Sequence, residues 1–72
     1  MWLENLIGMS FKDIEDMMNF IEGAFGFTTT VCDNSIIADD NGNKIIYIFT
    51  YSQSGDRYEI TNFESNKLLE IK

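Results

Sequence analysis

Apolar positions change their spacing once along the chain, near Gly26, and the change separates a helical first part from a strand-forming remainder. Trp2, Leu3, Leu6 and Ile7 recur at helical spacing and stop at Gly8. Phe11, Ile14, Met18, Ile21 and Phe25 then form one apolar stripe, which predicts the main helix. Ser10 is the candidate cap, with Asp13 three residues later in a near capping-box arrangement, and Gly23 and Gly26 mark the end.

Beyond Gly26 the pattern alternates. Residues 27–32, rich in Phe, Thr and Val, read as a strand, Asp33-Asn34 as a turn, and residues 35–38 as a second strand. Asn41-Gly42 predicts a two-residue type I′ hairpin loop, because both residues tolerate the positive φ it demands. That loop pairs Ala38 with Ile45 and Ile36 with Tyr47. Residues 44–52 form the longest predicted strand, and a tight turn at Ser54-Gly55 sets Tyr51 opposite Tyr58 and Phe49 opposite Ile60. Residues 64–72 are ambiguous between a short helix capped by Ser65 and an edge strand over 67–71.

Because alternate strand residues point to opposite faces, the register sorts the apolar side chains. One face carries Ile36, Ile45, Tyr47, Phe49, Tyr51, Tyr58 and Ile60; the other carries Ile37, Ile46, Ile48, Thr50, Glu59 and Thr61. One helix covers one face. The other needs the chain's own termini or a second protein chain, which makes Ile37, Ile46 and Ile48 the candidate dimer interface. The expected architecture is α+β: a single acidic domain over residues 1–72, with one main N-terminal helix packed on a small antiparallel β-sheet of about four strands, as a homodimer.

Composition adds a reason to expect the dimer. A 72-residue chain has room for a thin core that rarely supplies more than about 3 to 5 kcal/mol, and natural domains this small often add a staple. Cys32 is the only cysteine, so no disulfide closes within the chain, and with no histidine there is no zinc ligand set. No metal and no cofactor are expected, and oligomerisation is the staple left. No apolar run approaches the roughly 20 residues that cross a bilayer, and the N-terminus lacks the basic region of a signal peptide. A cytoplasmic protein without membrane contact is expected.

Candidate chemistry is sparse. Without histidine the usual nucleophilic triads are absent, and Cys32, in an alternating strand context, reads as a small packing residue. The carboxylate pairs Asp13 with Asp16 and Asp39 with Asp40 read as solvated flanks of a helix and a hairpin tip. Residues 39–43 resemble a calcium loop only superficially, since Ile37 and Ile48 fall where the first and last carboxylate ligands belong. There is no phosphate-binding glycine loop, and the five basic residues are too scattered for direct nucleic-acid binding. The chain reads as a binding protein rather than an enzyme.

Charge points to the class of partner. Twelve Asp and Glu stand against five Lys and Arg, a net charge of -7, which repels nucleic acid and favours basic surfaces. The candidate partner-binding acids are Asp13, Glu15, Asp16 and Glu22 on the helix and Asp39 and Asp40 at the hairpin. A domain of this length has a radius of gyration of about 11 Å, so a dimer extends roughly 40 Å. Duplex DNA of that length carries on the order of 23 phosphates, and the doubled charge of a dimer exceeds half that number.

The small size, the acidity, the lack of histidine and proline, and the excess of Ile, Asn, Phe, Tyr and Met over Ala, Gly, Arg and Pro together resemble early proteins of AT-rich phages of Gram-positive bacteria. Among these are small acidic inhibitors that mimic DNA. The resemblance implies a basic host DNA-binding protein as partner, in the host cytoplasm: the sliding clamp first, a histone-like nucleoid protein second and a CRISPR nuclease third. Gln53 is followed by Ser54, Gly55 and Asp56, which is not a clamp-binding peptide, so the clamp's DNA channel rather than its peptide pocket is implied. The alternative is a structural or assembly protein that interacts through an apolar surface, either Trp2, Leu3, Leu6 and Ile7 or the Ile37, Ile46 and Ile48 face.

Overall fold

A computed structural model describes residues 2–67, the side chain of Lys67 excepted. A 3₁₀ turn at Leu3–Leu6 leads to a short strand β1 (Ser10–Phe11), helix α1 (Ile14–Phe25) and four further strands. These are β2 (Thr28–Cys32), β3 (Ser35–Asp40), β4 (Ile45–Ser54) and β5 (Arg57–Lys67). The five strands form one antiparallel sheet in the order β1-β5-β4-β3-β2. The α+β class holds, with one strand more than the pattern predicts. Among the described residues no helix is long and apolar enough to cross a membrane.

The additional strand comes from the segment expected to cap the helix. Ser10 and Phe11 pair with Glu59 and Tyr58, and Arg57 ties them in place by donating from Nε to Ser10 Oγ at 2.9 Å. Asp13 is the N-cap instead: its φ of -154° is extended, and its Oδ1 accepts from the Asp16 backbone N–H at 2.8 Å. Gly26, at φ 75°, takes the left-handed C-cap position and donates its N–H to the Glu22 carbonyl at 2.8 Å.

Helix length matches sheet width. Twelve helical residues span about 18 Å, and five strands span about 19 Å between their outer members. Accordingly α1 crosses one face of the sheet and touches both edge strands. Its buried residues are Met17 and Ile21, with Ile14, Met18, Phe20 and Phe25 at their flanks. Beneath them lie Ile36, Ala38, Phe49 and Ile60, each fully buried, and Leu6 of the 3₁₀ turn closes the same core. Phe11 joins this core from β1, its ring 5.6 Å from that of Phe20.

Both long hairpins differ in register from expectation. Asp40 pairs with Ile45, so residues 41–44 form a four-residue loop in which the Asn43 N–H donates to the Asp40 carbonyl at 3.2 Å. The left-handed residue is Lys44, at φ 56°, and not Gly42. Ala38 therefore opposes Tyr47 rather than Ile45, and Ile36 opposes Phe49 rather than Tyr47. The physical gain is clear: a two-residue loop places Phe49 opposite Asn34, at the β2–β3 turn. The observed loop moves it to the sheet's centre, where its full burial is worth about 1.5 to 3 kcal/mol. A two-residue shift preserves which face each side chain occupies, so Ile37, Ile46 and Ile48 remain opposite the helix.

In the second hairpin Ser54 pairs with Arg57, which makes Gly55-Asp56 the loop, with Gly55 at φ 63° in the first position as a type II′ turn requires. Tyr51 then opposes Ile60. A bulge follows, because Thr50 pairs with Asn62 and leaves Thr61 over, its hydroxyl donating to the Thr50 carbonyl at 3.1 Å. The bulge rephases the strand. Ile60 and Phe63 are an odd number of residues apart, yet both reach the core face, Phe63 opposite Phe49. Strand β5, with 11 residues, is longer than β4. It carries Ser65 opposite Tyr47, which excludes a helix capped there. The expected edge strand over 67–71 lies, beyond Lys67, outside the described residues.

Candidate functional site

The six acids singled out in the sequence do not form one surface. Asp13, Glu15 and Asp16 gather at the start of α1, where a cap and the helix dipole give them an intramolecular reason to be there. Asp16 also pairs with Lys12 at 3.7 Å. Glu22 lies near the other end of α1 and faces the sheet edge. Its Oε2 accepts from the Thr29 N–H at 3.2 Å and from the Thr29 hydroxyl at 2.7 Å. That contact occupies an outward-facing amide of edge strand β2, whose uncharged Thr-Thr-Thr-Val-Cys sequence would otherwise offer a pairing edge.

Asp39 and Asp40, adjacent in β3, point to opposite faces of the sheet. Asp39 lies on the outer face between Thr28 and Ile46, and its Oδ1 is buried with no hydrogen-bond partner among the described residues. Asp40 lies on the helix side and accepts from Asn43 Nδ2 at 2.8 Å. Cys32, expected to pack, is exposed at the end of β2. Among the described residues no group of three or more Cys, Asp or Glu is placed to hold a metal ion.

The outer face carries its apolar residues at its centre. Ile37 pairs with Ile48, and Ile46 follows beside Asp39; all three isoleucines are half-buried. Thr30 flanks this row on β2, and Glu64 and Asn66 flank it on β5. The patch is thus apolar at its middle and hydroxyl, acidic or amide at its margins.

A second feature escaped the pattern altogether. Where α1 ends, the left-handed Gly26 turns the chain back so that Phe25 and Phe27 stack at 5.3 Å between ring centres. The stack continues from Phe27 to Tyr47 at 5.1 Å. Tyr47 neighbours Phe49 at 6.5 Å, and Phe49 neighbours Phe63 at 5.8 Å. Ala38, between Thr29 and Tyr47, presents only a methyl group here. The 3₁₀ turn at Leu3–Leu6 forms the opposite wall, where Trp2 is 76% exposed. Between the walls runs an open groove of about 510 Å³, within the roughly 300–1,000 Å³ of small-ligand sites. Glu4, from the turn, and Asp40, from the end of β3, supply its carboxylates. Among its described lining residues none is basic.

The Phe-Gly-Phe run at residues 25–27 marks only one part of this groove. What it lacked was Phe63, which uninterrupted alternation assigns to the other face and only the bulge at Thr61 brings inward. No protein-family model, no curated protein and no solved structure matches the chain.

Proposed function

We propose that this chain is a binding protein, in the manner of a phage-encoded DNA mimic, that occupies the basic DNA-facing surface of a host protein in the host cytoplasm. The sliding clamp is the first target to test, followed by a histone-like nucleoid protein and a CRISPR nuclease. The observation that carries this reading is the excess of twelve acids over five basic residues. The molecule is elongated, 46 × 23 × 19 Å, so its charges are spread over a length rather than gathered at a point. Duplex DNA of that length carries about 27 phosphates, so a single copy of net charge -7 supplies about a quarter of that charge. Two copies side by side supply about half of it.

The test is competition. The protein is used to retrieve partners from a lysate, and the partner is then titrated with and without duplex DNA. Glu15→Gln, Asp16→Asn, Asp39→Asn and Asp40→Asn are combined, together with Asp13→Asn, which keeps the cap. Glu22 is left intact because it holds Thr29. The expected result is mutual exclusion of DNA and protein, with at least tenfold weaker binding by the folded five-site variant. Unchanged affinity, or simultaneous binding of DNA at the same surface, would overturn the reading.

A second reading is favoured by the outer face. Ile37, Ile46 and Ile48 are suited to self-association or to assembly with an apolar partner, and the homodimer is proposed to form there. Asp39 and Glu64 border the patch, so a face-to-face dimer brings like charges together. Salt separates the two associations by sign: screening weakens a charge-led complex with a basic partner and strengthens a dimer limited by acidic repulsion. Light scattering after gel filtration at micromolar concentration measures the second. An 8.3 kDa mass at every salt concentration would exclude the dimer.

A further inference from the structure

The aromatic groove has a chemistry of its own. Ring faces carry partial negative charge and attract cations, above all planar guanidinium groups that can stack on them. Here Phe25, Phe27, Tyr47 and Phe63 supply rings from the sheet and helix end, and Trp2 supplies one from the facing turn. The two carboxylates at the groove, Glu4 and Asp40, belong to opposite walls. Asn43 Nδ2 engages Oδ2 of Asp40. A neutral apolar guest in this groove would desolvate both carboxylates without pairing them, which is costly. A cationic guest with a flat apolar body meets both features at once.

We propose that the groove between the 3₁₀ turn and the β4–β5 strands is a binding site for an arginine side chain presented by a basic partner segment, with the guanidinium stacked on the exposed ring of Trp2 and paired with Glu4 and Asp40. This deepens the reading of the chain as a binder of basic proteins and rests on it for the identity of the partner. Arginine is preferred over lysine because a compact, strongly hydrated ammonium gains less from stacking and cannot bridge two carboxylates with a fixed fork of donors.

Three short capped peptides test the proposal, each with two basic positions separated by glycine: one carries arginine, one lysine and one citrulline, the neutral isostere of arginine. Trp2 is the only tryptophan in the chain and lies at the groove, so its emission reports occupancy directly. Amide chemical shifts locate the contact. The arginine peptide is expected to change Trp2 emission, to shift amides of Leu3, Phe27, Tyr47 and Ser65, and to bind about 3- to 10-fold more tightly than the lysine peptide. The citrulline peptide is expected to bind at least tenfold more weakly. Glu4→Gln with Asp40→Asn, both polar replacements at sites that are not fully buried, is expected to weaken arginine binding severalfold with the fold intact by circular dichroism.

Equal binding of arginine and citrulline would overturn the proposal, as would absence of any shift at the groove. Equal binding of arginine and lysine, with shifts confined to residues 13–16, would also overturn it while leaving the charge-led reading standing. Competition between DNA and the retrieved partner tests that broader reading separately.

Discussion

Ile36 and Ile37 are neighbours in the same strand, chemically identical, and they lead different lives. Ile36 is fully buried beneath α1 and opposes Phe49; Ile37 is half-buried on the outer face and opposes Ile48. The contrast extends over the sheet. On the helix side Ile36, Ala38, Phe49 and Ile60 are sealed by Met17, Ile21 and Leu6. On the other side Ile37, Ile46 and Ile48 stand among Thr, Asn, Asp and Glu. The two faces have similar residue types at their centres, and what differs is the element supplied to cover them. Apolar content alone does not identify a core; the availability of a helix of matching length does.

Truncating adjacent residues of β4 that point in opposite directions separates the two faces most strongly. Phe49→Ala removes a fully buried ring that touches both Tyr47 and Phe63, and should cost about 3 to 5 kcal/mol. That is most of the stability expected of a domain this small. Ile48→Ala should cost about 1 kcal/mol in a monomer, because the side chain is only half-buried. Urea denaturation of both variants provides the measurement. If the outer face is a dimer interface, the Ile48→Ala loss grows with protein concentration, whereas the Phe49→Ala loss stays constant. Equal losses at all concentrations would mean that the two faces are equivalent in the folded monomer.

The same contrast applies to the two ends of α1, where acids perform different structural tasks. Glu22→Ala removes a charged acceptor from the Thr29 amide and hydroxyl and should cost about 1 to 2 kcal/mol. It also uncovers edge strand β2, so aggregation on heating should increase. Asp13→Ala removes the N-cap and should cost about 1 kcal/mol without any effect on aggregation, while Asp13→Asn should cost a few tenths. Thermal melts with parallel light scattering distinguish the two. Aggregation that rises equally in both variants would show that Glu22 has no special place at the edge.

Much of this arrangement was legible in the order of residues, and the failures have identifiable causes. The change of period near Gly26 located the helix and the strands, and parity assigned Ile36 and Phe49 to one face and Ile37, Ile46 and Ile48 to the other. Parity survived because the first hairpin shifted by two residues, an even number. Where the shift was odd it failed: the extra residue at Thr61 reversed the faces and concealed Phe63. Ser10 and Asp13 cap equally well by type, and only the pairing of Ser10 with Glu59 decides between them. The groove was hidden for a different reason. Its walls are the 3₁₀ turn, the end of α1 and the ends of three strands, and no local pattern encodes the meeting of segments so far apart in the chain.

The smallest expected effects lie at the two hairpin loops, and they test the register directly. A type I′ loop at Asn41-Gly42 would hold Gly42 at positive φ, where any side chain is strained. In the four-residue loop Gly42 has no positive φ, and a Cβ added there meets Asp40 Oδ1 at 3.8 Å, an ordinary contact. Gly55, by contrast, sits at φ 63° with nothing within 4 Å of an added Cβ, so its only obstacle is conformational. Gly55→Ala should therefore cost about 1 kcal/mol, and Gly42→Ala should lie within about 0.5 kcal/mol of the parent in either direction, since removing backbone freedom from the unfolded chain offsets small losses. Paired thermal melts under identical conditions resolve a difference of this size. A larger loss at Gly42 than at Gly55 would restore the two-residue loop, return Ile45 to its place opposite Ala38, and move Phe49 away from Ile36, so these two alanine variants decide how the core is aligned.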